Sequence, residues 1–455
     1  MKLYNTLSRI VEDFEPLEPG KVKMFSCGPT VYDYLHIGNA RTAVTVDVLS
    51  RLLRYSGYKT TFLVNITDID DKIIKRAAEQ GITWEQLARK YEAQYLKDMT
   101  NLKVKVDKYI RATDHIDDII RQINTLMEKG HAYKTDDGIY YEIATFPDYG
   151  KLSRRFDQKK DDAMSRIDES DQKRGWNDFC LWKFAKPDEP VWAAPFGDGR
   201  PGWHIEDTAI TEHYFGPQYD IHGGGSDLIF PHHEAELTQM ESASGLVPFV
   251  KYWVHGGLLY IDKKRMGKSN NNFITIADAL KKYDADLIRL FMLQGHYRSQ
   301  LDFDHDSLQS TANRLNHWRR ISDIMWQSDL TTAQSIEYDS ELEKLLNDFL
   351  ACLQNDLDTP SALVVAESIF DLTEQSFQRS IRIDGFSKFV ELLDTLLGIN
   401  IRTDDIDQTT KDLLLQRLSA RQRQEWQKSD ELRQELMNQG ISVNDSAVGQ
   451  TWSRI

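Results

Sequence analysis

Cysteine is scarce in this 455-residue chain, which has three, Cys27, Cys180 and Cys352. Thiols so far apart in sequence do not suggest a disulfide framework, and they point to a reducing compartment. Long apolar runs are missing too. No stretch approaches the ~18 residues that a membrane-spanning helix needs, so no membrane partner is expected. The opening residues, MKLYN, lack the basic-then-apolar pattern of a secretion signal, which makes the cytoplasm the expected location. Nor is there an excess of positive charge. The formal net charge of −15 would by itself argue against nucleic acid as a partner. Such a partner has to be met by a local basic track, for which Arg154, Arg155, Lys159, Lys160, Lys263, Lys264 and Arg265 are candidates, although each cluster also reads as a solvated face. Apolar residues make up 40% of the chain, enough for real cores and, at this length, about three or four domains.

What is present begins with a strand-like run at residues 22–26, VKMFS, which empties into CGPTVYD at 27–33 and HIGN at 36–39. A strand that turns through Gly and Pro into a helix offers free backbone N–H groups to phosphate. His36 can add a donor, and Gly38 lets a nucleotide approach the backbone. Far downstream lies a cationic Gly/Ser loop, KKRMGKS at 263–269, able to close over the other side of a triphosphate. Further blocks are NITDIDDK at 65–72, GRPGWHIE at 199–206, DIHGGGSD at 220–227 and FPHHEAE at 230–236.

The helix start and the cationic loop together resemble a class I aminoacyl-tRNA synthetase, and the blocks, in this order, resemble the cysteinyl-tRNA synthetases. The resemblance runs from the first residues to Trp452. It implies an α/β fold: a Rossmann-like parallel-sheet catalytic domain with an insertion, followed by an all-α helical bundle and a small anticodon-binding C-terminal domain. Expected boundaries are 1–110 and 201–260 for the catalytic halves and 111–200 for the insertion. The cationic loop and stem-contact region would be 261–315, the bundle 316–401 and the anticodon-binding region 402–455. The implied reaction joins L-cysteine to tRNA(Cys) with ATP, by way of cysteinyl-adenylate, releasing AMP and pyrophosphate. Mg²⁺ is expected with ATP, and a monomer is the family expectation.

The resemblance also assigns residues. His36, Asn39 and Lys268 would be catalytic, with Lys268 the second lysine of the family's KMSKS loop. Gly38, His222, Gly223, Gly224, Arg265 and Lys268 would hold ATP, and Thr67 and Trp203 would line the cysteine pocket. Arg265 stands where a lysine is usual and Gly267 where a serine is, which re-aims phosphate contacts and loosens the loop. The family holds zinc with two Cys, a His and a Glu. Cys27, His232 and Glu236 match three of these positions, and Asp207 takes the place of the second cysteine. A carboxylate is an accepted zinc ligand with the same charge as a thiolate, so Zn²⁺ is expected. His232 and Glu236, four residues apart on a predicted helix, share one face, as a metal pair or as a plain ion pair.

The remaining signals are structural. Residues 70–80 read as a helix closed by Gly81, and Thr83 with Gln86 as a capping box opening the next. Leu342, Leu345, Leu346, Phe349, Leu350 and Leu353 form one apolar stripe, and Thr359-Pro360 restarts a helix with Thr359 as cap. After a polar linker at 402–410, Trp426, Arg433, Asp445 and Trp452 resemble the family's anticodon readers. Aromatic rings and guanidinium planes stack on unpaired bases. A helix packing its Trp inward would carry the same residues. Two rivals remain: a ligase that hands cysteinyl-adenylate to a small amine, and a non-catalytic RNA-binding protein.

Overall fold

In this computed structural model, which describes residues 1–156, 170–265, 272–330, 333–382, 385–446 and 449–455, the chain forms two compact units. They are Met1–Tyr283 with Tyr297–Asp302, and Asp284–His296 with Phe303–Ile455.

The first unit opens with a hairpin, β1 (Lys2–Asn5) and β2 (Ile10–Asp13). Then short apolar runs alternate with amphipathic stretches, and strand alternates with helix. β3 (Lys21–Ser26) leads through α1 (Ile37–Tyr55) to β4 (Lys59–Ile66). α2 (Asp71–Gln80) and α3 (Trp84–Asn101) lead on to β5 (Lys108–Arg111). Local chemistry sets these helix ends, at Gly81 and at the Thr83–Gln86 box as the sequence predicts, whereas Asp70, expected inside the helix, proves to be its cap. Asp70 caps α2 by accepting from the Lys72 N–H, Gly81 closes it at φ +65°, and Thr83 and Gln86 cap α3 reciprocally.

After α4 (Ile116–Glu128) the chain leaves the parallel sheet for an antiparallel one, β6 (Ala132–Lys134), β7 (Gly138–Tyr141), β8 (Phe179–Phe184) and β9 (Gly199–Pro201). It returns through α5 (Ile205–Phe215), β10 (Tyr219–Gly225), α6 (Glu234–Ser244) and β11 (Val250–Gly256). The parallel sheet has the order β11-β10-β3-β4-β5. Chain order therefore reverses between β3 and β10, and the crevice beyond the carboxyl ends of those strands is where such sheets take ligands. Phe25, Leu63, Tyr219, Leu237, Phe249 and Trp253 belong to the core cluster around the sheet. A smaller sheet of β12 (Leu259–Ile261), β13 (Lys264–Arg265) and β14 (Leu301–Asp302), with α7 (Ile276–Lys282), completes the unit.

The second unit is helical: α8 (Ala285–Leu293), α9 (His305–Ser322), α10 (Ile336–Gln354), α11 (Thr359–Gln378) and α12 (Phe386–Leu392), with a short parallel pair, β15 (Ala333–Gln334) and β16 (Ile381–Arg382). The α10 stripe faces inward, with Leu342, Phe349 and Leu353 buried. Two expectations need correction. The helical unit takes α8 and α9 as well as the residues after 315, because Arg289 of α8 is fully buried and donates to the Leu397 carbonyl at 2.7 Å, while Trp318 of α9 stacks on Phe370. The cap of α11 is Asp358, whose carboxylate accepts from the Ser361 N–H; the Thr359 hydroxyl donates to the Leu293 carbonyl instead. Residues beyond 402 form α13 (Gln408–Gln422), α14 (Trp426–Asn438) and a hairpin, β17 (Ile441–Ser446) and β18 (Gly449–Arg454), over their own core of Leu413, Leu432, Leu436, Val443 and Trp452.

Candidate active site

The crevice at the sheet's reversal holds a cavity of about 360 Å³. Ser26, Cys27 and Gly28 enter it from the end of β3, His36, Gly38 and Asn39 from the start of α1, and Trp203, Asp207 and His232 from the second half of the sheet. The turn after β3 is tight because the Gly28 N–H donates to the Asn65 side chain at 2.5 Å, and a Cβ on Gly28 would stand 1.8 Å from the Asn65 carbonyl oxygen. Asn39 folds back so that its side-chain oxygen accepts from the His36 N–H at 3.2 Å. The His36 ring Nδ1 is buried and has no hydrogen-bond partner among the described residues. Burial pushes the His36 pKa down, against the pull of Asp227, so the ring stays neutral and open to an incoming donor or acceptor. The chain re-entering after the cationic loop is pinned here: the Ile37 N–H donates to the Ile274 carbonyl at 2.9 Å, and Phe273 packs edge-on against His36.

Below lies a floor of metal-ligating groups. Cys27 Sγ is 3.3 Å from Asp207 Oδ2 and 3.6 Å from Glu236 Oε1, and His232 Nε2 is 3.1 Å from the first carboxylate and 3.0 Å from the second. Trp203 stacks on His232 at 4.1 Å and 8°, fixing the ring. A second convergent group shares Cys27 and Glu236 but adds His222 and His233, whose Nε2 atoms lie 3.3 and 3.0 Å from Sγ. Buried carboxylates and a thiol that face one another need a cation. Burial, then Glu236 and Asp207, push the Cys27 thiol well up, and burial, then Asp207, pushes Glu236 well up. Asp207 Oδ1 and Glu236 Oε2 are buried with no hydrogen-bond partner among the described residues. This donor set fits a divalent metal ion such as zinc.

Several expected residues fall elsewhere. His222 does not line the cavity: its ring is fully buried, stacked on Trp253, with Tyr219 Oη 2.5 Å from Nδ1, so it belongs to the floor. Gly223 and Gly224 serve packing, since a Cβ would stand 2.6 Å from Val46 Cγ1 on one and 2.5 Å from the His233 ring on the other. Thr67 is buried and donates to Glu206 Oε2 at 2.8 Å, which makes it a support of α5. Arg265 ends β13, its side chain lying with Lys268 outside the described residues. Gly225, the last of the expected triple glycine, does line the cavity; sequence reasoning missed Asp227, Gly256 and Gly257, which line it too, and His204, His233 and His255, which pack around the floor. The Gly-Gly at 256–257, ending an apolar strand, was the signal available for the first group. Of the basic candidates, Arg154 donates to the Leu7 carbonyl and Arg155 lies over Phe230; Lys159 and Lys160 are outside the described residues.

Among the C-terminal candidates, Trp426 is 56% exposed and Arg433 is exposed. Asp445 accepts a two-pronged pair of hydrogen bonds from Arg417 at 3.0 and 2.8 Å, which holds its carboxyl below the usual range. Trp452 is a correction. It is 9% exposed in the core of this region, with its backbone N–H given to Gln327, so its ring is covered and cannot stack on a base.

The imidazoles behind the floor make folding sensitive to acid. Burial pushes His255 down to about 3 from 6.5, and His204, His222 and His233 are driven well down by the same cause. The unfolded chain takes up protons below 6.5 that folded His255 refuses until about 3. This contribution to stability is therefore complete above the first value and is lost as pH falls toward the second. Urea unfolding followed across that window should show stability falling with acid, and His255→Gln should make the fall shallower. An equal slope in the variant would remove His255 from the cause.

The family described as tRNA synthetases class I (C) catalytic domain matches residues 13–313, and the cysteinyl-tRNA ligase anticodon binding domain matches 403–452. The chain is 40% identical to a cysteine–tRNA ligase of Symbiobacterium thermophilum, covering 100% of this chain and 99% of the relative, and 41% identical to one from Thermococcus kodakarensis with the same coverage. In fold it is similar to Mycobacterium tuberculosis methionyl-tRNA synthetase in complex with methionyl-adenylate (TM-score 0.61, 14% identity, 82% of this chain and 85% of that one). It is also similar to LeuRS of Agrobacterium radiobacter in a ternary complex with tRNA and LeuAMS (TM-score 0.64, 10% identity, 85% of each).

Proposed function

The chain belongs to the cysteine–tRNA ligases, class I aminoacyl-tRNA synthetases that charge tRNA with cysteine, and on that premise we propose which of its residues carry each step. The observation that carries the assignment is the single cavity joining the His36 helix start to the Cys27, Asp207 and His232 floor. ATP lies at the first end and the amino acid at the second, which sets the cysteine carboxylate against the α-phosphorus. That carboxylate attacks, pyrophosphate leaves with Mg²⁺, and a ribose hydroxyl at the tRNA 3′ end then takes the cysteinyl group and frees AMP.

Little of this needs covalent help from the protein; the demand is for position and for donors where charge grows. His36 presents a neutral ring to the phosphates at the start of α1. Asn39 acts by holding the His36 backbone, which makes it a positioning residue. Gly38, Gly225 and Gly257 keep the walls low enough for adenosine. Lys268 stabilises the leaving pyrophosphate. Lys268→Ala should therefore slow cysteine-dependent ATP–pyrophosphate exchange by about 10²–10³, with folding untouched; an unchanged exchange rate would take Lys268 out of the reaction.

Cysteine must be told from serine, and an apolar pocket separates such near-isosteres poorly. Cys27, Asp207, His232 and Glu236 would hold Zn²⁺, which supplies a partner that favours a thiolate over a hydroxyl. Trp203 closes the side of the pocket.

Trp426 offers an open ring to an unpaired base of the anticodon, with Arg433 exposed on the same helix. Deleting the whole region would strip the buried Asp323 of its Arg454 partner, so a point change is the cleaner test. Trp426→Ala should leave pyrophosphate exchange intact and weaken tRNA charging by about 1–3 kcal/mol, seen in KM for tRNA. Equal charging by both proteins would assign the base contact elsewhere. The accompanying reading is a monomer in the cytoplasm. The decisive assay compares exchange and tRNA charging with cysteine and with serine; exchange without charging would point to a ligase with another acceptor.

A further inference from the structure

Away from the cavity, the start of α4 and the end of α5 meet around one carboxylate. Asp118 Oδ2 lies 2.8 Å from His115 Nδ1 and 3.0 Å from His213 Nδ1. Arg121 donates to the other oxygen, Oδ1, at 2.6 Å, which fixes the plane of the carboxylate and leaves Oδ2 to the two imidazoles. The two rings sit 4.8 Å apart, centre to centre. His115 and Asp118 are buried or nearly so, while the His213 side chain is 47% exposed, so the cluster opens to solvent on one side. None of the three lines the active-site cavity. No step of the ligase reaction uses them.

Two imidazole nitrogens and a carboxylate oxygen are a recognised zinc donor set, with water filling the fourth position of a tetrahedron. Bonds of about 2.0–2.2 Å place such ligand atoms about 3.3–3.6 Å apart. The two His–Asp pairs, at 2.8 and 3.0 Å, would widen by about 0.3–0.8 Å to take the ion. Ligation through Nδ1 puts the imidazole proton on Nε2, and His115 Nε2 faces Tyr214 Oη at 3.5 Å, an acceptor for it. Arg121 plays the corresponding part for the carboxylate; such outer partners orient metal ligands. Hard cations such as Mg²⁺ and Ca²⁺ prefer all-oxygen shells, so nitrogen-rich donors select the later transition metals.

We propose that His115, Asp118 and His213 form a second metal site, distinct from the cavity floor, that takes Zn²⁺. The site bridges two elements. α5 carries Asp207 in its first turn and His213 in its last, so an ion held there ties the far end of that helix to the start of α4.

The proposal stands independently of the catalytic reading and is tested without activity. Full-length protein stripped with chelator is titrated with Zn²⁺ and, in parallel, with Co²⁺. The wild type should bind two equivalents. His213→Ala and Asp118→Asn should bind one and keep the thiolate-to-cobalt absorption band, while His232→Ala should keep the non-thiolate equivalent. Zn²⁺ should also raise the melting temperature of His232→Ala, and no longer do so in His232→Ala/His213→Ala. Wild type and His213→Ala binding the same number of ions would overturn the proposal, as would Mg²⁺ displacing the second Zn²⁺ on equal terms. Loss of the thiolate band alone would count against the active-site metal and leave this site standing.

Discussion

Replacing His232 by Ala should lower cysteine activation on the order of 10³ or more, the scale set by several kcal/mol of lost metal assistance. Metal should fall below one ion per chain at the cavity floor in the same protein. His232 Nε2 sits about equally far from Asp207 and Glu236. Without the ring these buried carboxylates and the Cys27 thiol keep one fewer neutral donor, and like charges are left facing each other. Asp207→Cys restores a soft ligand at the same formal charge and should retain zinc at least as tightly, with less sensitivity to acid and chelators. Asp207→Asn should lose retention. Elemental analysis with exchange assays on cysteine and serine reads all three. A metal-free His232→Ala protein that still activates cysteine and rejects serine would show that the thiol is recognised without zinc.

Gly28→Ala should be the most damaging small change in the fold. The added Cβ would meet the Asn65 carbonyl oxygen at 1.8 Å and Val64 Cγ1 at 2.9 Å. Both belong to the neighbouring strand, so relief requires moving β4 away from the end of β3. Overpacking in a fitted core costs about 1–3 kcal/mol, and a clash with backbone belongs at or above the top of that range. The Gly28 N–H bond to Asn65 would go with it, and so would the position of Cys27 beside it. Gly20→Ala is the control: its φ of +75° is strained for alanine, but nothing lies within 4 Å. Urea midpoints and zinc content should separate the two, with Gly28→Ala losing both. Equal midpoints would mean that the carboxyl ends of β3 and β4 yield.

Legibility followed the range of the forces. Caps and turns depend on residues three or four apart, and Gly81 and the Thr83–Gln86 box could be read directly. At Asp358-Thr359 two adjacent residues could each cap, and the choice fell to Asp358 because Thr359 has a tertiary acceptor in Leu293. The floor residues Cys27, Asp207, His232 and Glu236 were named from blocks far apart in sequence, and the structure brings them within bonding reach of one ion. His222 was misplaced because a strand's side chains alternate between faces, and the sequence does not show which face meets α1 and which meets the floor. His204, His233 and His255 escaped notice for the same reason, since each is defined by a neighbour on another element. Trp452 shows the converse. Its ring type suits a base, but β18 turns it into the core of its own region.

The reversal of strand order has a consequence for synthesis on the ribosome. β3 can pair with β4 as soon as residue 66 has emerged, but its other edge waits for β10, which begins at Tyr219. At about 5–20 residues per second, roughly 150 further residues take about 8–30 s. Through that interval the edge of β3, with the buried Val22, Met24 and Phe25, has no partner strand, and open apolar edges invite pairing with other chains. The segment made in the meantime includes α4 and β6–β9, which can gather a core of their own from Ile119, Ile123, Tyr141, Leu181 and Trp182. Translation speed between residue 66 and the end of β10 at residue 225 thus sets how long that edge stays open.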